Sequence, residues 1–342
     1  MNLKTIAEKA GVSTATVSNV INGVYNKVSK ETIERVNKVI EELNYSPSAT
    51  ARSLASKESR IIGLIIPNTD NDQNFGSDPY TAYVVALMEQ IVRQKGYYLM
   101  IRSVIRSKEI TSFANTWNVD GMVILGAYED DVKEIEQVLK DIPTVYTDAY
   151  VESMPIACVG INDYKGGFLS ASYLLGKGHR KIALVTPDTE EFGVIHERYR
   201  GFCDALSKRG ITLNPEDIFI KQTSTEGGCD AGVEIALSGR GYTAVAAMSD
   251  TLAFGLNMGL QQGGLNVPDD ISVIGFDNLR VSRFATPAIT TISQNLEEKF
   301  RLVGEHLFNM IQHKEKYAVK ETLDVEVVER QTVKKINNGK MA

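Results

Sequence analysis

The densest run of chemically useful side chains is STATVSN, residues 13 to 19. A short helix there would set Val17, Val20 and Ile21 on one side and Thr14, Ala15, Thr16 and Asn19 largely on another, because residues three and four apart share a face. Small hydroxyl and methyl groups on a helix that enters a DNA major groove can bond base edges and touch thymine methyls. Thr14, Ala15 and Thr16 are therefore candidates for reading bases. Ser13, Ser18, Asn22 and Asn26 can donate to phosphates, as can the N–H groups of a helix start, and Thr5 and Asn19 are assigned to the same surface. With no Arg in this helix, base reading should be modest, and part of any specificity must arise elsewhere. A second set of candidates lies far downstream. Asp148 ends PTVYTD, Asp277 ends ISVIGFD, Ser249 and Asp250 follow TAVAAM, Asn162 and Asp163 follow ACVGI, and Arg198 begins RYRGF. Carboxylates and a guanidinium converging on one cleft bond bidentately to adjacent hydroxyls, which suits a small polyhydroxylated ligand. Arg198 and Asp277 are the strongest of this set. Asp163 and Asp250 also precede helices, where N-capping is the more ordinary task for each.

The elements that must hold these residues are legible as a change of period along the chain. Three short helices are expected over the first 44 residues. Asn2 opens the first, Leu3, Ile6 and Ala7 face inward, and Gly11 closes it. Ser13 caps the second, and Ser29 caps the third, in which Ile33, Val36, Ile40 and Leu43 face in. TIAEKAGVSTATVSNVING, residues 5 to 23, is then a helix, a glycine-centred turn and a second helix with a polar outer face. That is the outline of a helix-turn-helix, although any αα-hairpin shares it. In YSPSATARSLASKESR, residues 45 to 60, Pro47 sets a boundary and Ser48 can cap a short helix through Ala55. Its one large apolar side chain is Leu54, so this helix should be weak by itself and fold conditionally.

From residue 61 the pattern alternates between short β-rich runs and amphipathic helices. Strands are expected at 61–67, 97–102, 121–126, 143–148, 157–161, 181–187, 217–222, 243–248 and 271–277. Near-continuous apolar strands of this kind belong to parallel sheets covered on both faces, and so many strands need two sheets. ITTISQN, a helix from Leu296 to Gln312, and LDVEVVER are expected to cross back between the halves. The fold class is thus a small all-α helix-turn-helix headpiece plus α/β, with two doubly wound parallel-sheet subdomains.

Composition narrows the function classes. The 342 residues carry 37 Lys and Arg against 43 Asp and Glu, a net charge of −6. The first 60 residues reverse that balance, with nine basic and six acidic side chains, so a polyanionic partner belongs at the N-terminus. Three cysteines, Cys158, Cys203 and Cys229, form no CxxC pair and read as reduced, mostly buried thiols. No apolar run approaches the roughly 20 residues of a membrane helix, and MNLKTIAEKAG has no apolar core for export. A cytoplasmic protein without membrane contact is expected. Enzyme readings find little support. GRGYTA, residues 239 to 244, matches GxGxxA but precedes a strand, so it is taken as a helix end, and neither a phosphate loop nor a GxSxG elbow is present. His179, His196, His306 and His313 lack metal-ligand spacing, and His306 and His313 are read as solvated. No cofactor and no metal are expected. Acid–base work by Asp148 and Asp277 stays open on the residues alone.

AGVSTATVSNVING, then VSKETIERVNKVIEELNYSPSATARSLA, resembles the DNA-binding headpiece of the lactose/galactose repressor family. Downstream, NYSPSATARSLA is similar to that family's hinge segment, GHRKIALVTP to its second-subdomain strand, RYRGF to its sugar-contacting helix, and VIGFDN to a strand end at its effector cleft. The resemblance implies a headpiece over 1–46, a hinge helix and linker over 47–60, a two-subdomain effector and dimerisation domain of periplasmic-binding-protein type over 61–330, and a tail over 331–342. It implies a homodimer on a pseudo-palindromic, double-stranded operator and a small effector, by analogy a carbohydrate.

In that reading two symmetry-related Leu54 side chains wedge between base pairs from the minor groove, with Arg52 nearby and Ser48 and Ala55 on the same helix. The alternative is that Leu54 packs on the larger domain and Arg52 is solvated. The expected effector set is Asp148, Asn162, Arg198, Ser249, Asp250, Asp277 and Tyr80. Two departures bear on the ligand. Ser249 stands where many sugar-responsive members have Asn, and KQTSTEGG lacks the aromatic that often stacks on the effector. The loop NTDNDQNFGSD before Pro79 and Tyr80 is long, and either covers the cleft or bulges away. The implied function is a ligand-responsive repressor. A transport-type solute-binding protein and a carbohydrate- or nucleoside-processing enzyme are the competing classes on the same two-lobed frame. The tail after Arg330 shows no leucine heptads that would join two dimers.

Overall fold

A computed structural model describes residues 3–21, 23–45, 58–67, 78–104, 107–188 and 192–336. The chain divides into two compact units, Met1–Arg60 and Ile61–Ala342. In the first, α1 (Leu3–Ala10), α2 (Thr14–Ile21) and α3 (Lys30–Glu42) enclose Ile6, Ala7, Ala10, Val17, Val20, Val36 and Val39. The starts and stops follow the expected chemistry. Ser13 Oγ accepts from the Thr16 N–H at 3.1 Å, and Ser29 Oγ from the Thr32 N–H at 3.3 Å. Gly11 turns the chain after α1 at φ +64°, a conformation in which a β-carbon would be strained. Arg35 Nε donates to the Ala10 carbonyl at 2.9 Å, tying the end of α1 to α3. Asn2, which was expected to open α1, lies outside the described residues.

The second unit holds two lobes, each built on a six-stranded sheet. The first lobe takes β1 (Ile61–Pro67), α4 (Pro79–Gln94), β2 (Tyr98–Val104), α5 (Ser107–Trp117), β3 (Gly121–Leu125), α6 (Glu129–Val138), β4 (Thr144–Thr147) and β5 (Ala157–Ile161). The chain then runs through α7 (Asp163–Gly176), β6 (Ile182–Thr186), α8 (Val194–Ser207), β7 (Ile218–Ile220), α9 (Thr225–Leu237), β8 (Ala244–Ala247), α10 (Asp250–Gln262), β9 (Ser272–Asp277), α11 (Arg280–Phe284) and β10 (Thr290–Ser293). It ends with α12 (Leu296–His313), β11 (Val319–Leu323) and β12 (Glu326–Val328). The sheet orders are β11-β5-β4-β3-β1-β2 and β12-β10-β9-β8-β6-β7. Every pair is parallel except β10 with β12.

Alternation along the strands feeds two helical layers per lobe, as parallel sheets require. Ile62, Leu64 and Val123 pack with Val84, Met88, Phe300 and Val303 on one face, and Ile65, Met122 and Ile124 pack with Ile110, Phe113 and Val132 on the other. The second lobe repeats the plan with α7 and α8 on one face and α9 and α10 on the other. Each large aliphatic side chain so buried contributes about 1.5–3 kcal/mol.

Because β11 joins the first sheet and β12 the second, the backbone passes between lobes after β5, after β10 and after β11. LDVEVVER was expected to cross back between the halves, and it does. It divides at Asp324, one part per sheet. Thr332 and Val333 are buried in the second lobe, and Ile336 N–H reaches the Lys177 carbonyl at 2.8 Å. Of the cysteines only Cys158 is buried, the other two being half-buried, and all three are free thiols.

Candidate functional site

In the headpiece, Thr14, Ala15 and Asn26 are exposed, while Thr5, Thr16, Ser18 and Asn19 are half-buried. Ser13 and Thr16 are partly committed to each other, their hydroxyls 2.9 Å apart in the helix cap, so Thr14 and Ala15 present the outermost groups of α2. Asn22, Ser48, Arg52, Leu54 and Ala55 lie outside the described residues.

In the larger unit the strand ends and the passages between lobes bring most of the downstream candidates together. Asp148 follows β4 at φ +53° and Asp277 closes β9 at φ +117°, backbone conformations that non-glycine residues adopt at a cost. Asp148 forms a hydrogen-bonded ion pair with Lys299 of α12, a lysine with no exposed side-chain surface. Lys299 also reaches Gln294 Oε1 at 3.4 Å, and Gln294 Nε2 donates to Asp277 Oδ1 at 2.5 Å. Arg198 Nε donates to Asp163 Oδ1 at 2.8 Å, its NH1 donates to the Met248 carbonyl at 2.9 Å, and that nitrogen lies 3.7 Å from Asp277. The guanidinium stacks 3.7 Å over the Phe276 ring. Tyr150 donates its phenol proton to Asp163 Oδ2 at 2.8 Å. The result is a polar chain from Asp148 in the first lobe, through Lys299 and Gln294, to Asp277 and Arg198 in the second.

The charges in this chain perturb one another. Burial raises Asp277 above the usual carboxylate range, against the pull of Arg198, and burial likewise raises Asp163 and Asp250. Burial opposes the charge of Lys299, yet its neighbours, Asp148 foremost and Asp163 among the rest, together outweigh it and hold the ammonium protonated. The Tyr80 phenol is pushed up by burial and feels Lys299, Asp148, Asp277 and Arg198, which places it at the same cluster.

Two expectations about capping are corrected. Asn162 caps α7 through Lys165 N–H at 2.9 Å, and Ser249 caps α10 through Leu252 N–H at 3.1 Å. Asp163 and Asp250 are first helical residues whose carboxylates turn inward: Asp163 to Arg198, and Asp250 to the Leu279 N–H at 2.7 Å and the Thr291 hydroxyl at 2.6 Å. Capping therefore fell to the residue before each. His306 is also not simply solvated, since it bridges the Tyr317 hydroxyl at 2.9 Å and Glu321 at 3.0 Å.

The sequence reading missed Lys299, Gln294 and Tyr150. Lys299 did leave a signal: with Leu296, Val303 and Leu307 it falls on the buried face of α12, where a lysine needs a buried partner. Beside the cluster is a cavity of about 250 Å3, with Asp148, Tyr150, Asn162 and Asp163 in its wall.

Comparison with known proteins decides the family. Residues 2–48 match bacterial regulatory proteins of the lacI family, and residues 171–333 a periplasmic binding protein-like domain. The ribose operon repressor of Haemophilus influenzae is 34% identical over 91% of this chain and 92% of its own. The chain belongs to the lacI family of bacterial regulatory proteins. The HTH-type transcriptional repressor PurR of Vibrio vulnificus is also 34% identical to this lacI-family chain, over 98% of it and 99% of the relative. Among solved structures, the Lac repressor dimer bound to operator and the anti-inducer ONPF superposes with a TM-score of 0.83 at 26% identity, covering 97% of this chain and 98% of that one. A LacI-family regulator from Enterococcus faecium with bound ribose gives 0.69 at 27%, covering 81% and 100%. This lacI-family chain is accordingly a ligand-controlled DNA-binding repressor and not an enzyme. No helix among the described residues is long and apolar enough to cross a membrane.

Proposed function

We propose that the chain works as a cytoplasmic homodimer whose headpieces read a pseudo-palindromic operator and whose grip is set by an effector bound between the two lobes. Thr14, Ala15 and Thr16 would meet base edges, with Thr5, Ser13, Ser18, Asn19, Asn22 and Asn26 against the backbone. The paired hinges, with Ser48, Arg52, Leu54 and Ala55, would open the minor groove. The effector would sit at Asp148, Asn162, Arg198, Asp277 and Tyr80, with Ser249 and Asp250 behind them at the start of α10. The domain limits of 1–46, 47–60 and 61–330 belong to the same proposal, and the tail of 331–342 starts with residues packed on the second lobe, Thr332 and Val333 among them. The single observation that carries it is the polar chain from Asp148 to Arg198, because a ligand inserted there exchanges bonds with both lobes at once.

Operator binding and effector binding must then be coupled, and coupling is reciprocal. Titrating an effector in the absence and presence of operator duplex should give two affinities differing by the factor by which the effector changes operator affinity. Equal affinities would sink the mechanism. The ribose operon repressor and the ribose-bound regulator among the relatives support a sugar-sized effector.

A further inference from the structure

The cavity beside the cluster has an uneven wall. Asp148, Asp163, Glu197 and Glu321 line it against one cationic side chain, Lys320. Glu197 and Glu321 at the rim meet Arg200 at 2.6 Å and His306 at 3.0 Å, and at the floor Asp163 pairs with Arg198 and Asp148 with Lys299, so what the floor still lacks is a donor to one carboxylate oxygen. There Asp148 Oδ1 is buried and accepts no hydrogen bond among the described residues. A buried carboxylate oxygen in that state gives up the bonds it would have made to water. Gly160 forms the wall next to it: a β-carbon at 160 would stand 3.4 Å from that oxygen. Behind that wall, Asp277 lies 3.7 Å from the same Arg198 guanidinium, and Asp250 accepts from the Leu279 N–H and the Thr291 hydroxyl.

We propose that the effector carries a protonated primary amine on a hydroxylated frame, an amino sugar or amino polyol, with the ammonium at Asp148; this rests on the inter-lobe site being the effector site. An ammonium brings three donors and one unit of charge. One donor meets Asp148 Oδ1. The phenol oxygens of Tyr150 and Tyr164 on the same wall are acceptors, because their protons are committed to Asp163 and Asp204, each at 2.8 Å. A phosphorylated or carboxylated ligand would set a further anion beside the carboxylates of this wall. A neutral polyol would supply donors, but without the charge assistance that strengthens a bond to a carboxylate oxygen.

The test uses the full-length protein, with thermal shift and calorimetry against glucosamine, galactosamine and mannosamine, their parent hexoses, and the hexose 6-phosphates. At least one amino sugar should raise Tm saturably and bind about tenfold or more tightly than its parent, which corresponds to about 1.4 kcal/mol, with its phosphate counterpart weakest. Gly160→Ala adds a methyl in ordinary contact with Asp148 and should lower that affinity about tenfold while the ligand-free Tm stays within a few degrees. Asp148→Asn should lower it further. Preference for a parent hexose or a phosphate, no shift with any amino sugar, or amine binding indifferent to Gly160→Ala would each overturn the amine assignment. In the first case the effector reading survives, and in the others it is judged separately by the operator titration.

Discussion

Two carboxylates at strand ends, Asp148 and Asp277, were legible from sequence because a parallel strand delivers its last polar residue to the ligand-binding edge. Their surroundings were not legible, since Lys299 is 151 residues from Asp148 and meets it only when α12 packs back on the first lobe. The same burial makes these residues sensitive to pH. Asp277 is raised to about 8, whereas an unfolded aspartate titrates near 4. Between those values the folded chain holds a proton that the unfolded chain has released. Stability therefore falls as pH rises through that window. Melting at pH 6 and 8.5 should show Asp277→Asn gaining relative to the wild type at the higher pH; a constant difference would rule out this titration. Lys299→Met should cost about 3–5 kcal/mol in urea denaturation, because it leaves Asp148 largely buried and uncompensated. The double variant Asp148→Asn, Lys299→Met should lose clearly less than Lys299→Met alone.

Elements were the most readable scale, since strand and helix periods are local properties. The nine expected strands are all present, with ends trimmed or shifted by a residue or two. α11 was missed, as five residues carry too little periodicity to register. Caps were read correctly where one small polar residue stood alone, as at Ser13 and Ser29. They were misassigned where two stood side by side: Asn162 and Asp163, or Ser249 and Asp250, compete for one position, and the tertiary ion pair and hydrogen bonds settle the contest. α7 and α8 also approach where both carry glycine: a β-carbon at Gly167 would lie 1.8 Å from the Arg198 carbonyl oxygen. That close approach seats Arg198 beside Asp163. At this scale Ser13→Ala removes the cap of α2 and should cost about 1 kcal/mol, so amides of α1 and α2 in the full-length protein should exchange with solvent roughly fivefold faster. Unchanged exchange would show that Ser13 does not hold the helix start.

At the scale of the molecule, each of the two units carries a hydrophobic core of its own among the described residues. A protein beginning at Ile61 should therefore stay folded, with a Tm within a few degrees of the full chain, and keep effector binding while losing operator binding. Loss of fold would show that residues 1–60 support the lobes. Within the larger unit, the three passages between lobes mean that neither lobe is a continuous stretch of chain. An effector at their seam, as proposed, would act on both lobes at once.

The sequence by itself determined the alternation of strands and helices, the helix-turn-helix outline, the excess of positive charge at the N-terminus and the family, because periodicity, caps and motif spacing are written over short stretches of chain. Only the tertiary structure decided which carboxylates pair with which cations, that Asn162 and Ser249 do the capping, and that Asp148 keeps one oxygen without a partner. Those outcomes depend on burial and on contacts between residues 29 to 151 positions apart, where the cost of stranding a charge away from water exceeds any local preference.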